Sequence, residues 1–194
     1  NLGHINYSTM VDKDAPDWRV WSEEHLDDYE SFESAMDAYL NEAIDWDSFD
    51  HRIKWGTRFL ENVVTMSDFP IPEIEKKVSE MRKIGLGIMG LAQLYIQLGI
   101  RYGSEAGNEV AKQLLMHQNH EAKWTSHEIA GERGSFAEWD NSKYANPDDY
   151  RDWFEHHTGL DADRFPDGFP IRNHNVTTIA PTGTTSMVGN TTGG

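Results

Sequence analysis

The 194-residue chain contains no cysteine. Disulfides and thiolate metal sites are therefore excluded from this segment, and cysteine usage leaves the redox compartment undetermined. Also missing is any run of about 18 apolar residues, the length a membrane-crossing helix needs. The first ten residues have neither a basic start nor a long apolar stretch, so no signal peptide is read there. The cytoplasm is the expected compartment. Positive charge is scarce, with 17 Lys and Arg against 33 Asp and Glu, a formal net charge of −16. Fourteen of the acids fall within residues 12–50, against Lys13 and Arg19 alone. Such a surface repels nucleic-acid phosphates and anionic lipid, so neither nucleic acid nor a membrane is an expected partner. Halophiles also use strong acidity to stay soluble.

The length suffices for one domain with its own core. Residues 2–10 read as a strand, and 12–17 as a polar turn around Pro16. Over 18–47, Trp18, Trp21, Leu26, Phe32, Met36, Tyr39, Leu40 and Ile44 recur at loosely helical spacing with acids between them. This acidic stretch reads either as a solvated face or as a partner surface. The clearest helix is 48–67, with Phe49, Ile53, Phe59, Leu60, Val63 and Val64 as its apolar stripe and Ser48 as its cap. Pro72 suits the first turn of the next helix. A short apolar run follows at 84–89, then a helix over 91–98 closed by Gly99 and a long one from 104 to about 132 ended by Gly134. Residues 135–170 read as irregular structure with a short helix near 148–156. Strands separated by helical stretches indicate an α/β fold.

Two patterns are weighed and set aside. Gly85-Leu86-Gly87-Ile88-Met89-Gly90 satisfies G-x-G-x-x-G. The charged end of a helix precedes it, so close strand-to-helix packing is the better reading than a dinucleotide site. The nine histidines show no metal-ligand spacing and read as surface groups.

The last twenty-odd residues carry the chemistry. Asn175-Val176-Thr177-Thr178-Ile179-Ala180 reads as a buried strand that Pro181 terminates. Thr182, Gly183, Thr184, Thr185 and Ser186 then place four hydroxyls around one glycine at a helix start. Free backbone N–H groups, the helix dipole and the hydroxyls together suit a phosphate. An ordinary helix N-cap fits the same residue types.

Arg172-Asn173 followed by Val176-Thr177-Thr178-Ile179-Ala180-Pro181-Thr182-Gly183-Thr184-Thr185-Ser186 resembles the large, catalytic subunit of ribonucleotide reductase. Further blocks occur in that family's order. They are Asn1-Leu2-Gly3-His4-Ile5-Asn6, Thr57-Arg58-Phe59-Leu60-Glu61-Asn62-Val63 and Phe69-Pro70-Ile71-Pro72-Glu73-Ile74. Arg82-Lys83-Ile84-Gly85-Leu86-Gly87-Ile88-Met89-Gly90-Leu91-Ala92 follows, then Ser126-His127-Glu128-Ile129-Ala130-Gly131-Glu132-Arg133-Gly134-Ser135-Phe136, close to the family's LAxERGxF pattern. Residues 12–47 match poorly and are expected to be an elaborated helical connection.

The resemblance implies one fragment, residues 1–194, of the second half of a ten-stranded α/β barrel, with helices alternating with short strands. It implies radical reduction of ribonucleoside diphosphates to deoxyribonucleotides. Thr182, Gly183, Thr184, Thr185 and Ser186 would form the substrate-phosphate turn. No catalytic residue is assigned within the chain, and the fragment alone is expected to be inactive. The family's cysteines lie outside these residues, as does the Glu-Pro segment that follows the turn, so the chain reads as an internal piece. The resemblance is closest to the adenosylcobalamin-dependent class, with the cofactor bound outside this segment; a di-iron radical subunit is the alternative. Expected partners are the ribonucleotide, the remaining parts of the catalytic chain and a second copy in a homodimer. The competing reading is a non-catalytic acidic α/β domain whose terminal turn is only a helix cap.

Overall fold

The computed structural model describes residues 1–193. In chain order the elements begin with strand β1 (Leu2–Asn6) and helices α1 (Trp18–His25), α2 (Phe32–Ala43), α3 (Trp46–Met66) and α4 (Pro72–Met81). Strand β2 (Gly85–Met89) follows, then helices α5 (Leu91–Leu98), α6 (Glu105–Arg133), α7 (Arg151–Thr158) and α8 (Gly183–Val188). β1 and β2 are hydrogen-bonded neighbours. Gly85 N donates to Asn1 O at 2.9 Å at one end of the pair, and Gly90 lies against Asn6 at the other. The strands therefore run in the same direction, as in α/β units.

Residues 175–178 continue this parallel arrangement beside β2. Leu86 and Thr177 form a parallel bridge. Leu86 N donates to Val176 O at 2.8 Å, and Thr178 N to Leu86 O at 3.3 Å. The expected buried strand over 175–180 is thus only partly realised. Val176 is buried, but Ile179 is 72% exposed, and among the described residues the bridge to β2 reaches only Thr177, with Thr178 N as the last ladder donor. β1 is also shorter than the expected 2–10. Asn6 Oδ1 accepts from Ser8 N and turns the chain into a 3₁₀ turn at Tyr7–Thr9. Ser48 does not cap α3; the Asp45 carboxylate does, accepting from Ser48 N at 3.0 Å. An acid one residue before the first turn also complements the helix dipole, which Ser48 inside that turn does less well.

The chain divides into two compact units. The first comprises residues 1–3, 53–86 and 118–178. Its core is a mostly aromatic cluster of Phe136, Tyr144, Phe154 and Phe169 with Ile171, where Phe154 and Phe169 meet edge-on at 5.4 Å. The close approach of three extended segments falls at Gly85. A Cβ there would stand 2.6 Å from Leu2 and 2.9 Å from Thr178, so packing accounts for glycine at the first position of the G-x-G-x-x-G run. This unit also holds a fully buried carboxylate, Glu61. Arg82 Nη2 donates to its Oε1 at 2.6 Å, Arg172 Nε to Oε1 at 2.8 Å, and Asn173 Nδ2 to Oε2 at 2.7 Å. The buried charge is thus paired and hydrogen-bonded, the condition for tolerating it.

The second unit comprises residues 4–52, 87–117 and 179–194. Its acidic stretch is amphipathic. Trp18, Trp21, Met36, Tyr39 and Leu40 are buried, while Glu23, Glu24, Asp27, Asp28, Glu33 and Asp37 face solvent. Trp18 packs edge-on to Tyr39 at 4.9 Å, and the Tyr39 hydroxyl donates to Pro16 O at 2.8 Å.

The histidines depart from a surface reading. Most are half-buried and pack on aromatic rings, as His127 stacks on Phe169 at 4.5 Å and His157 on Trp153 at 4.7 Å. A flat ring with a polar edge fills such positions while its nitrogens reach backbone carbonyls.

Candidate functional site

The site is built in the second unit, where the strands end. β1 runs out at Asn6, β2 at Met89, and the 175–178 segment passes through Pro181 into α8. Gly90 adopts φ +79°, and an added Cβ would lie 2.3 Å from Asn6 Oδ1 and 2.7 Å from Thr191 Oγ1. Gly90 N donates to Thr192 O at 2.9 Å, and Thr191 Oγ1 reaches Ser8 Oγ and Gln93 Oε1, both at 3.2 Å. The loops after β1 and β2 therefore clasp the stretch that follows α8. In α/β folds, ligands bind at the carboxyl ends of parallel strands, where several loops converge.

α8 starts in an unusual way. Thr182 occupies its N-cap position with φ 51°, the left-handed region that β-branched residues avoid, and its side chain makes no cap hydrogen bond. Ser186 N donates to Thr182 O at 2.9 Å and is the first N–H to be used. The N–H groups of Gly183, Thr184 and Thr185 have no hydrogen-bond partner among the described residues, and these three residues are exposed. They leave three backbone donors and two hydroxyls on exposed residues at the start of the helix.

The five residues singled out from the sequence therefore do not act alike. Gly183, Thr184 and Thr185 face outward, whereas Thr182 and Ser186 are only 6% and 5% exposed. Ser186 Oγ points back to Gly183 O at 3.4 Å. Asn6, Ser8, Gly90, Gln93 and Thr191 hold the stretch that follows α8 and were not singled out. Gly90 was visible only as the last glycine of a motif suggesting something else.

Parallel strands, intervening helices and polar loops gathered at the strand ends are the marks of an α/β-barrel segment with a ligand-binding rim. The family described as "Ribonucleotide reductase, barrel domain" matches residues 1–194, and the chain belongs to that family. A vitamin B12-dependent ribonucleoside-diphosphate reductase of Mycobacterium tuberculosis (strain CDC 1551 / Oshkosh) is 35% identical over 151 residues, covering 78% of this chain and 19% of that protein. One from Thermoplasma acidophilum is 34% identical over 145 residues, covering 75% of this chain and 16% of that protein. A ribonucleoside-diphosphate reductase subunit alpha of Chlamydia pneumoniae is 28% identical, covering 76% of this chain and 16% of that protein. The chain thus spans less than a fifth of the length of these curated relatives.

Proposed function

We propose that this chain is part of the catalytic chain of an adenosylcobalamin-dependent ribonucleoside-diphosphate reductase, and that its 182–186 turn holds the substrate's phosphate. The observation that carries the second half is the start of α8. Three exposed N–H groups stand without an acceptor among the described residues at the carboxyl end of parallel strands, and the Thr182 side chain makes no cap hydrogen bond. An ordinary N-cap would have used the Thr182 hydroxyl for that purpose. The held anion would be bound by neutral donors, with Gly183, Thr184 and Thr185 supplying backbone N–H groups and Thr184 and Thr185 their hydroxyls.

The role is positioning. Fixing the phosphate end sets where the ribose stands, and binding of non-reacting groups is a recognised source of rate. Bound adenosylcobalamin would supply the radical, and no residue of this chain is assigned to hold it. Relatives named as vitamin B12-dependent at 34–35% identity support that class; nothing in the comparisons supports the di-iron alternative. The remaining catalytic chain, a homodimeric partner and a cytoplasmic setting belong to this reading through the family.

The test is substrate affinity in the full-length enzyme. Thr184→Val removes one hydroxyl donor to a charged group and is expected to weaken nucleotide binding by about 1–3 kcal/mol. Unchanged affinity by calorimetry rejects the assignment.

A further inference from the structure

A cavity of about 530 Å³ in the first unit is lined by Asn119, Lys123, Lys143, His157, His174 and Thr177, among others. Asn119 and Lys123 sit one turn apart on α6 and share a face. Lys123 is 6% exposed. Its Nζ donates to Asn119 Oδ1 at 2.8 Å and to His157 O at 2.9 Å, and it forms no ion pair among the described residues. Both acceptors are neutral, and an ammonium carries three donors, so one donor is left over. Burying a cation without a counter-ion is unfavourable.

No carboxylate lines this cavity, although the chain carries a formal charge of −16. Two lysines and two histidines do. His157 Nδ1 donates to Trp153 O at 2.7 Å, and burial lowers the pKa of this imidazole, so the ring enters the cavity wall as a neutral group. We propose that this cavity is an oxyanion site, taking inorganic phosphate or the phosphoryl group of a small metabolite as the missing counter-ion of Lys123. Lys123 and Lys143 border the same space, and two ammonium groups favour a multiply charged oxyanion over a single carboxylate. Burial lowers the Lys123 ammonium to about 8, so it is largely charged at neutral pH and becomes a free amine just above it.

A lysine that only ties α6 to the last carbonyls of α7 would make the same two hydrogen bonds. Competitive labelling separates the two roles in the intact, full-length catalytic chain. Trace acetic anhydride at about pH 8 acylates only free amines, and peptide mass spectrometry reads Lys123 directly. Inorganic phosphate is compared with a nucleoside diphosphate and with chloride of matched ionic strength. Bound phosphate is expected to suppress Lys123 labelling about five- to tenfold, the effect of raising its pKa by about one unit. Exposed Lys13 and Lys76 should label equally in every arm. Protection by inorganic phosphate assigns the free ion, and protection by the diphosphate alone assigns the phosphoryl group of a larger ligand. No protection, or equal protection by chloride, overturns the proposal. Anion bound at residues 182–186 leaves this readout unchanged.

Discussion

Gly90 and Asn6 are in contact at the ends of two parallel strands, with only 2.3 Å between the Asn6 amide oxygen and the place a Gly90 Cβ would occupy. That oxygen already accepts from Ser8 N at 3.2 Å and Ser8 Oγ at 2.7 Å. It is therefore not a flexible tip that yields cheaply. Gly90→Ala adds a clash to the strain of alanine at positive φ. We expect a loss of about 2–4 kcal/mol of stability, read as a lowered unfolding midpoint in the full-length protein. An unchanged midpoint would show that the loops after β1 and α8 move apart freely.

Glu61→Gln tests the buried ion cluster. The amide keeps the shape but removes the charge that Arg82 and Arg172 share. Removing the charge of the one fully buried partner leaves two half-buried guanidinium groups unpaired and is expected to cost about 3–5 kcal/mol, measured by urea denaturation. Glu61→Asp should recover part of that loss, since it restores the charge at a shorter reach.

Lys123 makes stability depend on pH in a definite direction. Its folded pKa of about 8 lies below the ordinary lysine value of 10.5, so the unfolded chain binds more protons between those values. Stability contributed by this group therefore rises with pH through that window and is lowest below pH 8. In Lys123→Met, a swap of similar length, that rise should vanish. Denaturation midpoints of both proteins at pH 7, 8, 9 and 10 check it, and parallel curves would contradict it.

The acidic surface on α1 and α2 predicts a response to salt. Raising KCl from about 0.01 M to about 1 M shortens the screening length from about 30 Å to about 3 Å. Repulsion among exposed Glu23, Glu24, Asp27, Asp28 and Asp37 weakens accordingly. A rise in melting temperature of about 2–5 °C is expected by differential scanning fluorimetry. Exposed ion pairs such as Lys112 with Glu33 contribute little at low salt and lose little over the same range. A falling midpoint would mean that such pairs outweigh the repulsion.

Where local signals agreed, the fold was readable before any coordinates. α5 runs over Leu91–Leu98 and stops at Gly99 with φ +71°, as its apolar spacing and terminal glycine implied. Pro72 opens α4 for the same reason, a residue whose backbone suits one position only. Residue type pointed to Ser48 as the α3 cap, whereas the Asp45 carboxylate three residues earlier fills that position, which the spacing of apolar residues did not reveal. The Glu61–Asn173 bond joins residues 112 apart in sequence, and no periodicity points from one to the other. The turn at 182–186 was legible as a set of donors, but which hydroxyls face inward depends on the left-handed Thr182 backbone. The contacts of Gly90 with Asn6 and Thr191 arise only from folding, which brings together residues from both ends of the chain.

The grip of Glu61 on both Arg172 and Asn173 works as an index mark for the chain that follows. Sliding that chain by one residue beside β2 would turn every side chain of 175–178 to the opposite face. It would also drag a guanidinium and an amide off a carboxylate that water cannot reach. Alignment is thus set at the start of the segment, by an ionic peg, and not by the few ladder bonds further along it.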